Sequence, residues 1–236
     1  MDTKGARVLI TGGATGIGRA TAALLIERGA EVAICGRTEA RVRETALAIG
    51  AVPFRCDVSR EDDVERLVED AAQSLGGLDV LVNNAGLGTF APLVETITED
   101  FRRTFETNTL GAFLVGRACA RRFVTAKRGT IVNVGSTAAR RGFAGGSAYC
   151  ASKFALTALT ECWRAELRTS NVRVMQVDPS EVQNDFGVHA GRAKRKDPNP
   201  SKLTSEDIAR AIVGLLELDD RAFSPGLEVW ATNPGR

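Results

Sequence analysis

Seven short runs rich in valine, isoleucine and other apolar residues, separated by longer amphipathic stretches, leave this chain few ways to fold. The runs fall near Arg7–Thr11, Glu31–Cys35, Ala51–Cys56, Leu78–Val82, Thr130–Val134, Val172–Val177 and Leu227–Trp230. Strands that are apolar at consecutive positions bury both faces, and such strands belong to parallel sheets covered by their own helical crossovers. The intervening stretches predict helices near 17–29, 39–49, 61–75, 99–127, 148–169 and 205–218. The alternation predicts an α/β fold of Rossmann type, a doubly wound parallel seven-stranded sheet with helices on both faces. At 236 residues, 44% of them hydrophobic, residues 1–236 are expected to form one domain around one core.

Charge narrows the partners. The chain carries 31 basic against 29 acidic residues. That balance provides no domain-wide field for a nucleic-acid backbone or an anionic membrane, and neither partner is expected. The start runs directly into an apolar strand without a signal-peptide core, and no stretch approaches the roughly 18 apolar residues that span a bilayer. A soluble, cytoplasmic protein is the expectation. The five cysteines, Cys35, Cys56, Cys119, Cys150 and Cys162, are scattered without the close pairs of zinc or redox motifs. They read as reduced and mostly buried thiols. The only histidine, His189, lies away from any cysteine or carboxylate cluster, so no metal site is expected.

In an open parallel sheet, ligands bind beyond the carboxyl ends of the strands. The motifs that follow these strands therefore converge on one crevice. After the first run comes Thr11-Gly12-Gly13-Ala14-Thr15-Gly16-Ile17-Gly18. Between a strand and a helix, such glycines let the backbone approach a pyrophosphate at the helix N-terminus. After the second run, Cys35-Gly36-Arg37-Thr38 has no carboxylate for a ribose 2′-hydroxyl, whereas Arg37 could pair with a 2′-phosphate. NADP(H) is the expected cofactor, the alternative for Arg37 being a surface side chain paired with Glu39. The only tyrosine, Tyr149, precedes Lys153 by four residues. On a helix that spacing places phenol and ammonium on one face, where the cation favours the phenolate and lowers the tyrosine pKa. A phenol tuned in this way can hand a proton to a carbonyl oxygen.

Together these residues resemble the short-chain dehydrogenase/reductase family over most of the chain. Thr11 to Gly18 is similar to the family's cofactor turn, with Gly12, Thr15, Gly16, Ile17 and Gly18 at its positions. Asp57-Val58 resembles the adenine-contacting pair, and Asn83-Asn84-Ala85-Gly86 the segment that steadies the sheet beside the cofactor. Asn108, Ser136, Tyr149 and Lys153 fall where the family keeps its catalytic tetrad. The resemblance implies that Tyr149 is the acid in reduction and Ser136 holds the substrate oxygen. It also implies that Lys153 binds the nicotinamide ribose and lowers the tyrosine pKa, while Asn108 holds a relay water. Singly, Ser136 could cap a turn, Asn108 satisfy buried backbone and Lys153 sit in solvent. After the sixth run, Pro179 and Val182 correspond to residues beside the carboxamide. Ser180 stands in place of a glycine, where a positive φ would be strained, and Asn184 in place of a threonine.

The resemblance implies a carbonyl or secondary-alcohol oxidoreductase acting on a small-molecule carbonyl, with a 3-oxoacyl thioester reductase as the most specific expectation. Reduction of another small ketone, sugar or polyketide carbonyl is the alternative, and a catalytically idle dinucleotide sensor or scaffold is a second. Residues 187–203 take the place of a substrate lid, and Arg192, Lys194, Arg195 and Lys196 there form a basic run. Arg121, Arg122, Lys127 and Arg128 could greet an acidic carrier protein or merely complement a helix end. Phe90, Phe143 and Phe186 could wall a substrate pocket or pack in the core. Small residues on helices 99–127 and 148–169 (Gly111, Ala112, Gly116, Ala118, Ala155, Ala158) suggest helix packing across a subunit boundary, as in a homotetramer or homodimer.

Overall fold

A computed structural model describes residues 1–184, 186 and 199–233 of the chain. Seven parallel strands form one sheet in the order β3-β2-β1-β4-β5-β6-β7. They are β1 (Arg7–Thr11), β2 (Glu31–Gly36), β3 (Val52–Arg55), β4 (Val80–Asn83), β5 (Gly129–Val134), β6 (Val172–Pro179) and β7 (Gly226–Val229). The helices are α1 (Gly16–Glu27), α2 (Glu39–Ile49), α3 (Glu61–Leu75), α4 (Thr98–Phe105), α5 (Ala112–Ala126), α6 (Ser147–Leu167) and α7 (Ser205–Leu216). The chain winds outward from β1 to β3, then returns to place β4 on the other side of β1. That reversal opens a crevice at the carboxyl ends of β1 and β4.

The strand composition follows from this layering. Val8 and Ile10 join one core layer with Leu25 of α1, Val42 of α2 and Ile208 and Ile212 of α7, while Leu9 between them faces the opposite layer. There Leu9 packs in one cluster with Leu67 of α3, Val115 and Phe123 of α5 and Trp163 of α6. The same alternation separates Leu81 from Val80 and Val82, and Val174 from Met175. Because both faces are covered, the central strands are apolar over consecutive positions, and the polar residues they bury, such as Asn83 and Asn133, bond to one another.

The expected helix over 99–127 is interrupted. Its α-helical winding gives way to a π-helical segment at Glu106–Gly111, between α4 and α5. Asn108 lies in this segment, buried, with its amide turned onto the backbone of Leu87. The small residues of these helices are also used within the chain. A Cβ on Gly111 would lie 2.7 Å from Val58, and one on Gly116 would lie 2.9 Å from Trp163.

The arginines of α5 form ion pairs within the chain. Arg121 pairs with Glu65 at 3.0 Å, Arg122 with Glu69 and Arg117 with Glu61, which makes a ladder across α3 and α5. Arg128 reaches Asp79 at 3.3 Å. These residues are spread along two adjacent helices at helical spacing, so packing the helices side by side brings opposite charges together.

Of the expected lid, residues 187–198 lie outside the described residues, and with them His189, Arg192, Lys194, Arg195 and Lys196. Its last part is anchored. Gln183 binds the Leu203 carbonyl through its own N–H at 2.8 Å, Leu203 is buried, and Lys202 pairs with Glu181 at 2.8 Å. Among the described residues no helix is long and apolar enough to cross a membrane, and no cluster of histidine, cysteine or acidic side chains could hold a metal ion.

Candidate active site

The turn after β1 is built around missing side chains. Gly12 and Gly16 have φ of +64° and +52°, which an L-residue adopts only under strain. A Cβ on Gly18 would lie 2.5 Å from the Gly12 carbonyl oxygen and from Asn84 Nδ2, so helix, turn and β4 could not close together. Thr15 precedes α1 in extended conformation, and its side chain makes no cap bond. Among the described residues no side chain caps the first N–H groups of α1, as an anion site requires. Gly16 meets nothing nearer than Asn184 Nδ2, at 3.6 Å from a hypothetical Cβ. These observations fit a pyrophosphate, and Asn184 lies beside the same turn at Gly16. Ile17 is half-buried against the first core layer.

The Asn83–Gly86 segment has divided duties. Asn83 Nδ2 donates to the Ala112 carbonyl and to Asn133 Oδ1, both at 3.1 Å, so this side chain is buried within the sheet. Asn84 Nδ2 donates to the Thr11 and Gly12 carbonyls at 3.0 and 3.1 Å, and Thr11 Oγ1 accepts the N–H groups of Asn84 and Ala85. Gly86 approaches both Asn108 and Lys153; a Cβ there would stand 3.3 Å from Asn108 Oδ1 and 3.8 Å from Lys153 Nζ.

On the adenine side, Arg37 is exposed at the end of β2 and has no ion pair among the described residues. Glu39, its sequence-level alternative partner, instead pairs with Arg43 at 2.8 Å. Asp57 is half-buried after β3, where its Oδ1 accepts from the N–H and hydroxyl of Ser59. The Val58 side chain packs inward against Gly111. On the other flank, Pro179 ends β6 in the interior, and half-buried Val182 bridges to Leu203. Ser180 is not among the described residues with positive φ, and its N–H donates to Val229 at 2.9 Å. The strain expected at Ser180 is therefore absent, because β7 holds that backbone.

The four tetrad residues meet around α6. Lys153 is 5% exposed, its Nζ donates to the Val134 carbonyl at 2.8 Å, and it stands 5.8 Å from the centre of the Tyr149 ring. Burial pulls the Lys153 ammonium down to about 8, against an upward pull from Asp178. Asn108 Oδ1 accepts the Leu87 N–H and its Nδ2 donates to the Leu87 carbonyl, each at 2.8 Å. The same Nδ2 donates to Ser152 Oγ at 3.0 Å, and Ser152 donates to the Tyr149 carbonyl. Ser136 follows β5, and its Oγ accepts the Ala138 N–H at 3.1 Å in a short turn packed against α6. Half-buried Tyr149 lies against Phe90 and Phe186, with ring centres at 5.5 and 5.6 Å; Phe143 stacks on Phe90 at 6.0 Å.

Sequence reasoning missed Asp178 and its neighbours. Asp178 is fully buried and accepts from the Ser136 N–H at 2.9 Å and Gln176 Nε2 at 2.7 Å. A carboxylate at the penultimate position of a strand expected to be buried was the available signal. Ser152 was also missed, although its i, i+3 placement after Tyr149 put it on the same helix.

The chain is similar to known proteins over most of its length. Residues 6–194 match the short chain dehydrogenase family. The chain is 35% identical to a 3-oxoacyl-[acyl-carrier-protein] reductase of Bos taurus over 88% of this chain and 90% of that one. It is 34% identical to an NADP-dependent 3-hydroxy acid dehydrogenase of Schizosaccharomyces pombe, over 89% and 86% respectively. Its fold superimposes on a 3-ketoacyl-(acyl-carrier-protein) reductase from Brucella melitensis, solved with NADH, with a TM-score of 0.89, 29% identity and coverage of 98% and 99%.

Proposed function

Since the chain belongs to the short-chain dehydrogenase/reductase family, we propose that it is an NADP(H)-dependent enzyme interconverting a carbonyl and a secondary alcohol, most specifically a 3-oxoacyl thioester reductase. The buried Lys153 ammonium beside the only tyrosine of the chain is the observation that carries this reading. When bound, the nicotinamide supplies the hydride. Tyr149 donates the proton to the carbonyl oxygen, and the Lys153 charge stabilises the phenolate that remains. Ser136 Oγ donates to the same oxygen and fixes its orientation. Asn108, held by Leu87, positions a water through which Lys153 recovers a proton. The exposed guanidinium of Arg37 supports NADP(H) over NAD(H), because a planar fork of donors matches a 2′-phosphate.

The Phe90–Phe143–Phe186 wall favours a second substrate reading, an apolar ketone or polyketide-like carbonyl in place of an acyl thioester. One experiment separates the readings. Cofactor oxidation is followed with acetoacetyl thioesters, diketones and simple ketones, with NADPH and NADH, beside Tyr149→Phe and Arg37→Asp. The proposal expects turnover that needs NADPH, vanishes in Tyr149→Phe and loses its NADPH preference in Arg37→Asp. Turnover surviving in Tyr149→Phe would refute the acid assignment, and tight NADPH binding with no turnover would point to a substrate outside the panel or to an idle sensor. The proposal extends to self-association as a tetramer or dimer. Exposed Phe101, Leu110 and Phe154 support it, and a monomeric mass by light scattering would count against it.

A further inference from the structure

Side chains hold the carbonyls of Thr11, Gly12 and Ala14 in the turn between β1 and α1. Asn84 Nδ2 donates to the first two. The Ala14 carbonyl accepts the hydroxyl of Thr45, a buried residue of α2, at 3.0 Å, and no backbone N–H among the described residues donates to it. That bond is not the usual one for a threonine within a helix. Thr104, Thr125, Thr157 and Thr160 each donate to the carbonyl four residues earlier on their own helix. Thr45 instead reaches a carbonyl 31 residues earlier in the chain. The surroundings are tightly fitted: a Cβ on Gly36 would lie 3.1 Å from Val42 of α2, and one on Gly13 would lie 2.6 Å from Ile34 of β2.

The consequence lies in the peptide that joins Ala14 to Thr15. A peptide unit is planar and trans, so its C=O and N–H point in opposite directions. With the Ala14 carbonyl fixed on α2, the Thr15 N–H is aimed away from α2, and nothing among the described residues accepts it. We propose that Thr45 is a positioning residue for the cofactor turn. Its hydroxyl keeps the Ala14–Thr15 peptide from turning over, so that the Thr15 N–H joins the first N–H groups of α1 as a donor to the pyrophosphate. The ligand half of this inference rests on the dinucleotide reading given above; the hold on the backbone does not.

Thr45→Val isolates the hydroxyl, because valine keeps the branched shape and the helix preference of threonine and offers no donor. Thr45→Ser keeps the donor. Fluorescence titration of the folded proteins with NADPH and NADH reads the site without turnover. In Thr45→Val the unmet carbonyl is expected to weaken both cofactors about 10-fold. Their ratio stays unchanged because both carry the pyrophosphate, and Thr45→Ser binds as wild type does. Unchanged affinity in Thr45→Val overturns the proposal. So does a loss confined to NADPH, which would put the effect at the 2′-phosphate end with Arg37. A second measurement needs no ligand: residue-resolved amide hydrogen exchange. The Gly13 N–H is bonded to the Cys35 carbonyl and the Arg19 N–H to the Thr15 carbonyl, and both are expected to exchange faster in Thr45→Val. Unchanged exchange at these two amides, or an equal acceleration throughout α2 and β2 as a merely structural role would give, overturns the proposal. If the wild type binds neither cofactor, the dinucleotide reading falls and the ligand half with it, while the exchange rates still decide whether Thr45 holds the turn. Should Thr45→Val fail to fold, Thr45→Ala compared with Thr45→Ser carries the same two readouts.

Discussion

Replacing Lys153 with methionine is expected to stabilise the protein near neutral pH while abolishing its chemistry. Burial holds the folded-state lysine at about 8, against 10.5 for an unperturbed side chain. The folded state therefore gives up its proton first as pH rises, and between pH 8 and 10.5 the unfolded state binds more protons. Stability climbs through that window, and below it the whole cost of burying the charge is present. The gap of about 2.5 pH units corresponds to about 3.4 kcal/mol, at about 1.36 kcal/mol per unit. Methionine removes this cost and leaves the Val134 carbonyl without its donor, a loss of about 1–3 kcal/mol. The variant is expected to be more stable than wild type by about 1–2 kcal/mol at pH 7 and less stable by a similar amount near pH 10. Urea unfolding monitored by tryptophan fluorescence at both pH values measures the difference. A difference that does not change with pH would refute the reasoning, because it would mean that Lys153 titrates alike in both states.

Three further changes test other parts of the site. Gly18→Ala forces a Cβ to within 2.5 Å of the Gly12 carbonyl oxygen, and overpacking of about 1–3 kcal/mol predicts NADPH affinity roughly 10- to 100-fold weaker by fluorescence titration. Unchanged affinity would show that the turn can widen freely. Asn108→Ala strips partners from both the N–H and the carbonyl of Leu87, so thermal unfolding should report a loss of about 2–5 kcal/mol; a loss below about 1 would mean water replaces the amide. A chromogenic disulfide reagent should modify Cys162 alone at a fast rate, since Cys35, Cys56, Cys119 and Cys150 are buried and burial pushes the Cys119 thiol up to about 12. Fast reaction at more than one thiol would contradict the packing around β2, α5 and α6.

The parts of this protein legible in its sequence are those governed by local spacing. Gly12, Gly16 and Gly18 sit at fixed intervals in one turn, Tyr149 and Lys153 share a helix face, and uninterrupted apolar runs can only be central strands. The parts that stayed hidden depend on tertiary approach. Asp178 gains its meaning from Gly135, Ser136 and Arg140, some forty residues earlier in the chain, which only the β5–β6 pairing brings to it. Arg121 and Arg122 form a basic cluster in sequence, yet α3 supplies their carboxylates. The small residue Gly116 of α5 makes room for Trp163 of α6, a contact that no local pattern announces. The π winding at 106–111 leaves no mark in the apolar periodicity, because α4 and α5 on either side are ordinary amphipathic helices.

That winding has a genetic reading. A π turn takes up one residue more than an α turn, so Glu106–Gly111 amounts to a single-residue insertion within a continuous helix. The wide turn absorbs that residue locally, so deleting one codon here would leave α4 and α5 in phase and take away only the bulge. The shortened gene would encode a more regular helix with Asn108 pointing away from Leu87 and Ser152. Helix regularity and the contacts of Asn108 with Leu87 and Ser152 therefore make opposite demands on this one codon.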